Sequence, residues 1–439
     1  MGVELKKLAA AAVAVALLAM VPAARAQSLL ELYEAARSFD ATYLSARALA
    51  DSAQYRVEQS RALNRPSATL STSGSRVQTS PTAGSDFGSN SLGASVTGRQ
   101  PLFNRSNDAT IAQAERSLEA SLADRDTAEQ DLILRISQAY FDVLGAEDTL
   151  QTTRASKTAI AEQLASAKRN FEVGTTTITD TREAQARFDL ATAQEIAADN
   201  EHVIRRIALD QLVGRSNVTP VQIAVPLVLP PSAATPLDQL VTRAAEEHPA
   251  VRRAQVAYDV AVLETEKARA QRLPTIDAVA SLQRGRGTVA SNISGTNTGG
   301  SVGVQLNLPL WTGGAVQNRI KETLVLEDRS RFDLEAARRF VSQSTRQAWY
   351  TLQSGSAQVK ALEAAEASSL LALQATQLGY RVGVRVNVDV LNAQSQLFQT
   401  RRDLARARYD VLLGTLRLRQ AAGRLAPSDV LAIDRLLAR

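Results

Sequence analysis

Gln138-Ala139-Tyr140, Phe171-Glu172-Val173-Gly174-Thr175-Thr176-Thr177 and Gly214-Arg215 punctuate one stretch, Leu102 to Thr219, whose reading decides the fold. No proline occurs in it between Pro101 and Pro220. Leu118, Leu122, Leu132, Ile136, Ala139 and Val143 recur at helical spacing, and alanine, leucine, glutamate, glutamine and arginine fill most other places. Good helix formers at this period predict helix. The pattern falters where Gly174 meets three threonines, then resumes to Gly214. The reading is two long helices joined by a tight turn at Gly174. The first, of roughly 65 residues, would be about 100 Å long at 1.5 Å per residue. That length implies a coiled coil or the wall of a tube.

The stretch occurs twice. Pro101-Leu102-Phe103 matches Pro309-Leu310-Trp311, 208 residues later, and Gln138-Ala139-Tyr140 matches Gln347-Ala348-Trp349, 209 later. Phe171, Val173 and Gly174 match Tyr380, Val382 and Gly383 at that same offset. So do Asp180 with Asp389, Ala184-Gln185 with Ala393-Gln394, and Gly214-Arg215 with Gly423-Arg424. Chance matches would scatter, so the chain is a tandem duplication with one inserted residue.

The amino-terminal segment, residues 1–26, has the parts of a secretory signal: Lys6 and Lys7, the apolar run Leu8 to Val21, then Ala24-Arg25-Ala26 before Gln27. The run is short for a membrane span. The formal charge is +5, and removing this segment takes three bases and one acid, leaving about +3. That is too mild to argue for nucleic acid. Aromatic residues are only 4%, low for large compact cores. The chain has no cysteine, so it forms no disulfide and carries no lipid thioether. No later stretch offers 18 consecutive apolar residues, so a membrane-embedded form would have to be a barrel.

Each half begins with a helical pattern, Ser28 to Leu63 and Leu237 to Leu273, ending next to Pro66 and Pro274. The period then changes from 3.6 to two. Ile276, Ala278, Ala280 and Leu282 alternate with Thr275, Asp277, Val279 and Ser281, and Val302, Val304, Leu306 and Leu308 alternate with Gly303, Gln305 and Asn307. These are strands with one apolar side. A Gly/Ser/Asn-rich loop is expected between them, from Gly285 to Gly300. The first hairpin is weaker, with Leu92, Ala94 and Val96 its best part. The expected organisation is therefore a first repeat at 27–215, with a β-hairpin at about 67–101 and a helical tip near 174. A proline-rich connection at 216–236 follows. The second repeat is 237–426, with a hairpin at about 275–309 and a tip near 383, and 427–439 is a short tail.

Four amphipathic strands cannot close a barrel, and an open edge cannot sit in lipid. Two chains would give eight strands and a filled interior, whereas three would give twelve and leave a lumen. The Ser/Thr/Gly face suits a wet interior, and the Val/Leu/Ile face suits lipid. Phe103 and Trp311 follow the second strand of each hairpin and read equally as a membrane-interface aromatic belt or as helix-start core residues.

The duplicated helix, hairpin and long helical pair resembles the TolC family of outer-membrane efflux and secretion channels. The segment Gly379-Tyr380-Arg381-Val382-Gly383-Val384-Arg385-Val386-Asn387-Val388-Asp389-Val390-Leu391-Asn392-Ala393 is similar to that family's second-repeat periplasmic turn, and Phe171-Glu172-Val173-Gly174 through Thr179-Asp180 resembles the first. The resemblance covers essentially the whole chain after residue 26. It implies a mainly α protomer, a homotrimer with a twelve-stranded membrane β-barrel in outer-membrane lipid, and a tapering α-helical barrel across the periplasm.

Site residues follow from the same resemblance. Asp389 matches the first of the acidic residues that ring the family's periplasmic entrance, and Asn392 stands where a second acid can occur. Three Asp389 carboxylates on one axis would favour cations; alternatively Asp389 serves only the first turn of its helix, as Asp180 would. Tyr380 and Arg385 match residues that latch the inner coil to the outer one, with Thr179 and Asp180 as the matching acceptors, against the plainer reading of Arg385 as a solvated surface residue. The tips Gly174-Thr175 and Gly383-Val384 would meet a periplasmic adaptor protein; Thr175 and Val384 replace a leucine common in the family.

No catalytic constellation appears. The two histidines, His202 and His248, are not clustered with other ligands, and no phosphate loop or nucleophile elbow occurs. The chain is thus expected to be no enzyme and to hold no cofactor or metal. The expected function is a passive exit duct served by an adaptor and an inner-membrane ABC or proton-driven pump. A periplasmic adaptor is the first alternative, though it usually carries one helical hairpin inserted in compact β domains. A non-conducting coiled-coil tether is the second, and it would not need alternating strands.

Overall fold

The computed structural model describes residues 27–80, 82, 87–224, 236–288 and 294–437. The proposed signal segment and Pro226, Pro230 and Pro231 of the connection lie outside them. By packing, the chain forms two units. One comprises residues 27–44, 128–244 and 341–437, and the other residues 45–127 and 245–340.

The element order repeats. Helices α1 (Leu29–Phe39) and α2 (Ala41–Arg61) lead to strands β1 (Ser67–Thr79) and β2 (Phe87–Phe103), then to α3 (Arg105–Glu172) and α4 (Ile178–Val213). Helices α5 (Leu237–Glu247) and α6 (Pro249–Ala270) lead to β3 (Thr275–Thr288) and β4 (Ser294–Asn307), then to α7 (Ala315–Arg381) and α8 (Asn387–Ala421). A last helix, α9, spans Pro427–Asp434. No helix among the described residues is long and apolar enough to cross a membrane.

The first helical stretch is not one helix, as its periodicity predicts, but two. Asp40 interrupts it, accepting a 2.7 Å bond from the Tyr43 N–H and so capping α2. Both Asp40 oxygens also take 3.0 Å bonds from Arg135 on α3. Burial alone would raise this carboxyl, but the Arg135 and Tyr43 bonds hold it below the usual carboxylate range. In the second half the break falls at His248, whose ring accepts the Ala250 N–H ahead of Pro249.

In the first unit the largest core gathers Leu29, Leu32 and Ala36 of α1, Leu132, Ile136, Tyr140 and Leu144 of α3, Leu209 and Val213 of α4, and Leu412, Leu413 and Leu416 of α8. The carboxy-terminal segment completes it through Val430, Ile433 and Leu437. Tyr140 is fully buried and donates a 2.6 Å bond to the Val221 carbonyl. Gly214 ends α4 at φ 72°, and a Cβ there would lie 2.5 Å from the Phe39 ring, so this stop accepts only glycine.

The second unit carries the sheet, antiparallel in the order β1-β2-β3-β4. Register assigns the faces, since residues opposite one another share a side. On one face lie Leu70, Val96, Leu92, Ile276, Ala278, Ala280, Leu282, Val302, Val304 and Leu306. The other face carries Ser, Thr, Gln and Gly, with hydroxyl pairs Ser71–Ser95 and Ser75–Ser91 at 2.7 Å and Ser281–Ser301 at 2.8 Å. Near the helical end of that face Arg99 pairs with the nearly buried Asp277 at 2.7 Å.

Two expectations change here. Gly285–Thr288 and Ser294–Gly300 are not loop but paired strand, Gly285 opposite Asn297 and Gly287 opposite Gly295. Small polar residues have weak strand preference, but the ladder hydrogen bonds of the hairpin hold them extended. Trp311 is 87% exposed and Phe103 39%, so neither is a core residue of the protomer.

Candidate functional site: the helical tips

Both tips sit in the first unit and share one backbone device. At the first, the Thr175 N–H bonds the Asn170 carbonyl at 2.8 Å and the Gly174 N–H bonds Phe171 at 3.0 Å. At the second, Val384 bonds Gly379 at 2.9 Å and Gly383 bonds Tyr380 at 3.1 Å. Gly174 and Gly383 hold φ of 76° and 80°. This is the Schellman stop, which needs a left-handed residue and leaves apolar side chains just beyond the helix. Val173, Val382 and Val384 are 72%, 64% and 75% exposed there.

The two carboxylates, equivalent in sequence, have different company. Asp180 accepts from the Thr176 hydroxyl at 2.5 Å, the Thr177 hydroxyl at 3.0 Å and the Thr177 N–H at 3.3 Å, while Thr177 accepts the Asp180 N–H. These bonds, that of Thr176 foremost, hold the Asp180 carboxyl below its usual range. Asp389 faces the Val386 N–H at 3.5 Å and has the Arg385 guanidinium 3.7 Å away. Asp389 is therefore a first-turn carboxylate within the protomer, with its own countercation.

Within one chain Arg385 does not bridge to Thr179 or Asp180. Its pairing is with Asp389, and its stem lies over Gly379, where a Cβ would approach Arg385 Cγ to 2.8 Å. Thr179 is exposed. Tyr380 does reach the first coil, but at Asn170, whose amide donates to the Tyr380 hydroxyl at 3.1 Å. Asn392 is likewise engaged, accepting from Arg187 of α4 at 3.1 Å.

The residues that join the coils are mostly ones that sequence reasoning missed. Gln163 of α3 donates to Asn387, which begins α8 and is 2% exposed. Leu391, 1% exposed, enters the first coil's cluster of Ile160, Leu164, Ala167, Ala184 and Ala191. Asn387 Nδ2 and Gln394 Oε1 are buried without a hydrogen-bond partner among the described residues. In sequence Asn387 reads as an ordinary helix-start residue. Nothing local to it points to Gln163, 224 positions earlier.

A duplicated pair of long coils and a sheet with one apolar and one hydroxyl-lined face are the parts that a subunit of an outer-membrane channel requires. A family model described as outer membrane efflux protein matches residues 32–215 and again 240–424. The chain is 32% identical to outer membrane protein TolC of Vibrio cholerae over 436 residues, 98% of each chain. It is 33% identical to alkaline protease secretion protein AprF of Pseudomonas aeruginosa over 343 residues, 76% of this chain and 69% of that one. The crystal structure of the outer membrane protein VceC from Vibrio cholerae superposes with a TM-score of 0.77, covering 90% of this chain and 96% of that one at 18% identity, a likeness of fold. The chain belongs to the outer membrane efflux protein family. It is an outer-membrane efflux duct, and its family is one of channels, which is not an enzyme class.

Proposed function

We propose that three copies of this chain join their sheets edge to edge into a twelve-stranded barrel, each β4 pairing with the β1 of the next protomer. The carrying observation is the sheet itself, which has unpaired edges at β1 and β4, an apolar face and a hydroxyl-lined face. In lipid such edges must be paired, and closure is the one way to pair them all. The repeats at 27–215 and 237–426 then supply matching staves to an α-helical duct through the periplasm. A periplasmic adaptor docks on the exposed valines of the tips, and an inner-membrane pump supplies the energy. The purified protein in detergent is expected to weigh three protomers and to conduct ions in a planar bilayer. A monomer or dimer sinks this reading.

Asp389 is proposed to ring the inner mouth. Three like carboxylates repel, and a multivalent cation relieves all three at once. Arg385 beside each one tempers that field. Asp389→Ala is expected to weaken both cation preference and block by divalent cations from the periplasmic side, in an intact trimer. Unchanged block would return Asp389 to a helix-start role. Asn392 sits on Arg187, so Asn392→Asp would create an ion pair and add less to the block than a free acid would.

A further inference from the structure

We infer that the lipid-facing side of the hairpins carries a cationic site for the phosphate groups of the outer-leaflet glycolipid. This rests on the barrel reading above. The register places Arg284 opposite Ala94 and Arg286 opposite Leu92, and Leu92 lies opposite Gly74. Arg76, two positions beyond Gly74, therefore stands on this same face, as do Leu282 and Val302. All three arginines are exposed.

Their height along the strand is what assigns the ligand. Ile276 and Leu306 pair at the helical end of the apolar face. Arg284 and Arg286 lie eight and ten residues farther along β3. At about 3.4 Å per residue and a tilt of about 40°, they stand roughly 21 and 26 Å above Ile276. The apolar band of an outer-membrane barrel is about 25 Å tall. The arginines thus emerge at its outer edge, Arg284 and Arg286 opposite Ala94 and Leu92, where long basic side chains carry their charged heads to the headgroup level. Arg284 and Arg286 are about 7 Å apart along one strand, and Arg76 is roughly 12 Å from Arg286 across the sheet.

Charge complementarity identifies the occupant. The four strands hold a single acidic residue, Asp277, and it is paired with Arg99 on the opposite face. Among the described residues, no carboxylate meets Arg76, Arg284 or Arg286. Asp86, in the first hairpin connection, lies outside the described residues. Guanidinium groups bind phosphate oxygens in bidentate fashion, and clustered bases at a membrane surface select anionic headgroups. A trimer would present nine such arginines. The wet face has none at this level, where its residues are Gln283, Gly285 and Gly287.

The test uses the full-length protein in detergent, with lipid A as probe and its dephosphorylated form as control. Bound lipid is counted by native mass spectrometry, and the thermal midpoint is read with and without lipid. The parent is expected to retain lipid A and to gain thermal stability from it, and to gain little from the dephosphorylated form. The triple variant Arg76→Gln, Arg284→Gln, Arg286→Gln is expected to bind lipid A at least roughly tenfold more weakly, since each surface base contributes on the order of tenfold or less. Arg329→Gln, on α7, is expected to bind as the parent does. Equal retention by triple variant and parent, or equal retention of both lipids by the parent, overturns the inference. If the triple variant fails to assemble, the parent's preference between the two lipids still decides. Trimer mass and conductance are measured on the same preparations, so a conducting trimer indifferent to phosphate refutes this site and leaves the barrel standing.

Discussion

Leu391→Ala is expected to raise the resting conductance of the channel several-fold. Leu391 belongs to the second coil by sequence but is buried in the first coil's cluster beside Ile160, Leu164 and Ala184. Truncating a buried leucine costs about 2–5 kcal/mol. Here the loss falls on the contact between coils, because those neighbours lie on α3 and α4. The polar ties beside it are few: Gln163 to Asn387, Asn170 to Tyr380 and Arg187 to Asn392. Separation would also hydrate Asn387 Nδ2 and Gln394 Oε1, which lack partners among the described residues. About 2.7 kcal/mol suffices to bring a 1:99 open population to parity. Leu397→Ala is the matched control. Leu397 is 2% exposed and packs with Leu373 and Val390 inside the second coil alone. It should lower the unfolding temperature comparably while leaving single-channel conductance unchanged. Equal conductance in parent and Leu391→Ala would show that this contact does not hold the mouth closed.

Arg135→Ala is expected to destabilise the first unit by about 3 kcal/mol, the lower end for stranding a buried charge, because the arginine itself is partly exposed to water. Asp40 keeps only 7% exposure and would lose both guanidinium bonds while still capping α2 through Tyr43. The pH dependence follows from the depressed Asp40 carboxyl. Stability from this pair is fully present above the ordinary carboxylate range, near 4, and disappears as pH falls through the lower folded value. The gap in thermal midpoint between parent and Arg135→Ala should therefore be widest near neutral pH and narrow in acid. A gap that does not change with pH would mean the arginine acts through packing. Asp40→Asn with Arg135 intact should also lose stability, since the cap survives only in part.

The sequence by itself determined the duplication, the two long helical pairs, the stops at Gly174 and Gly383, and the alternation from Ile276 to Leu282. Each is a local signal. A helix or strand period is written in residues within one or two turns, and a left-handed stop needs its glycine wherever the rest of the chain lies. The tip motifs were legible on the same terms, and so was Asp180 as a capping residue. What Asn392 and Tyr380 touch was not legible. Their partners Arg187 and Asn170 are chosen by the axial register of one coil against another, whereas Arg385 meets Asp389 only four residues on at its own tip. Heptad-like spacing leaves that register nearly degenerate, because a shift of one turn presents an equivalent stripe. Leu391 reads as one more seam leucine, and only packing assigns it to the first coil. Asp40 breaks a helix that periodicity continues, because Arg135, 95 positions away, fixes its carboxylate. The strands past Gly285 were lost for a related reason. Serine and glycine carry little intrinsic strand preference, so their conformation is decided by the neighbour they pair with, and that pairing is what lifts Arg284 and Arg286 to the outer edge of the apolar face.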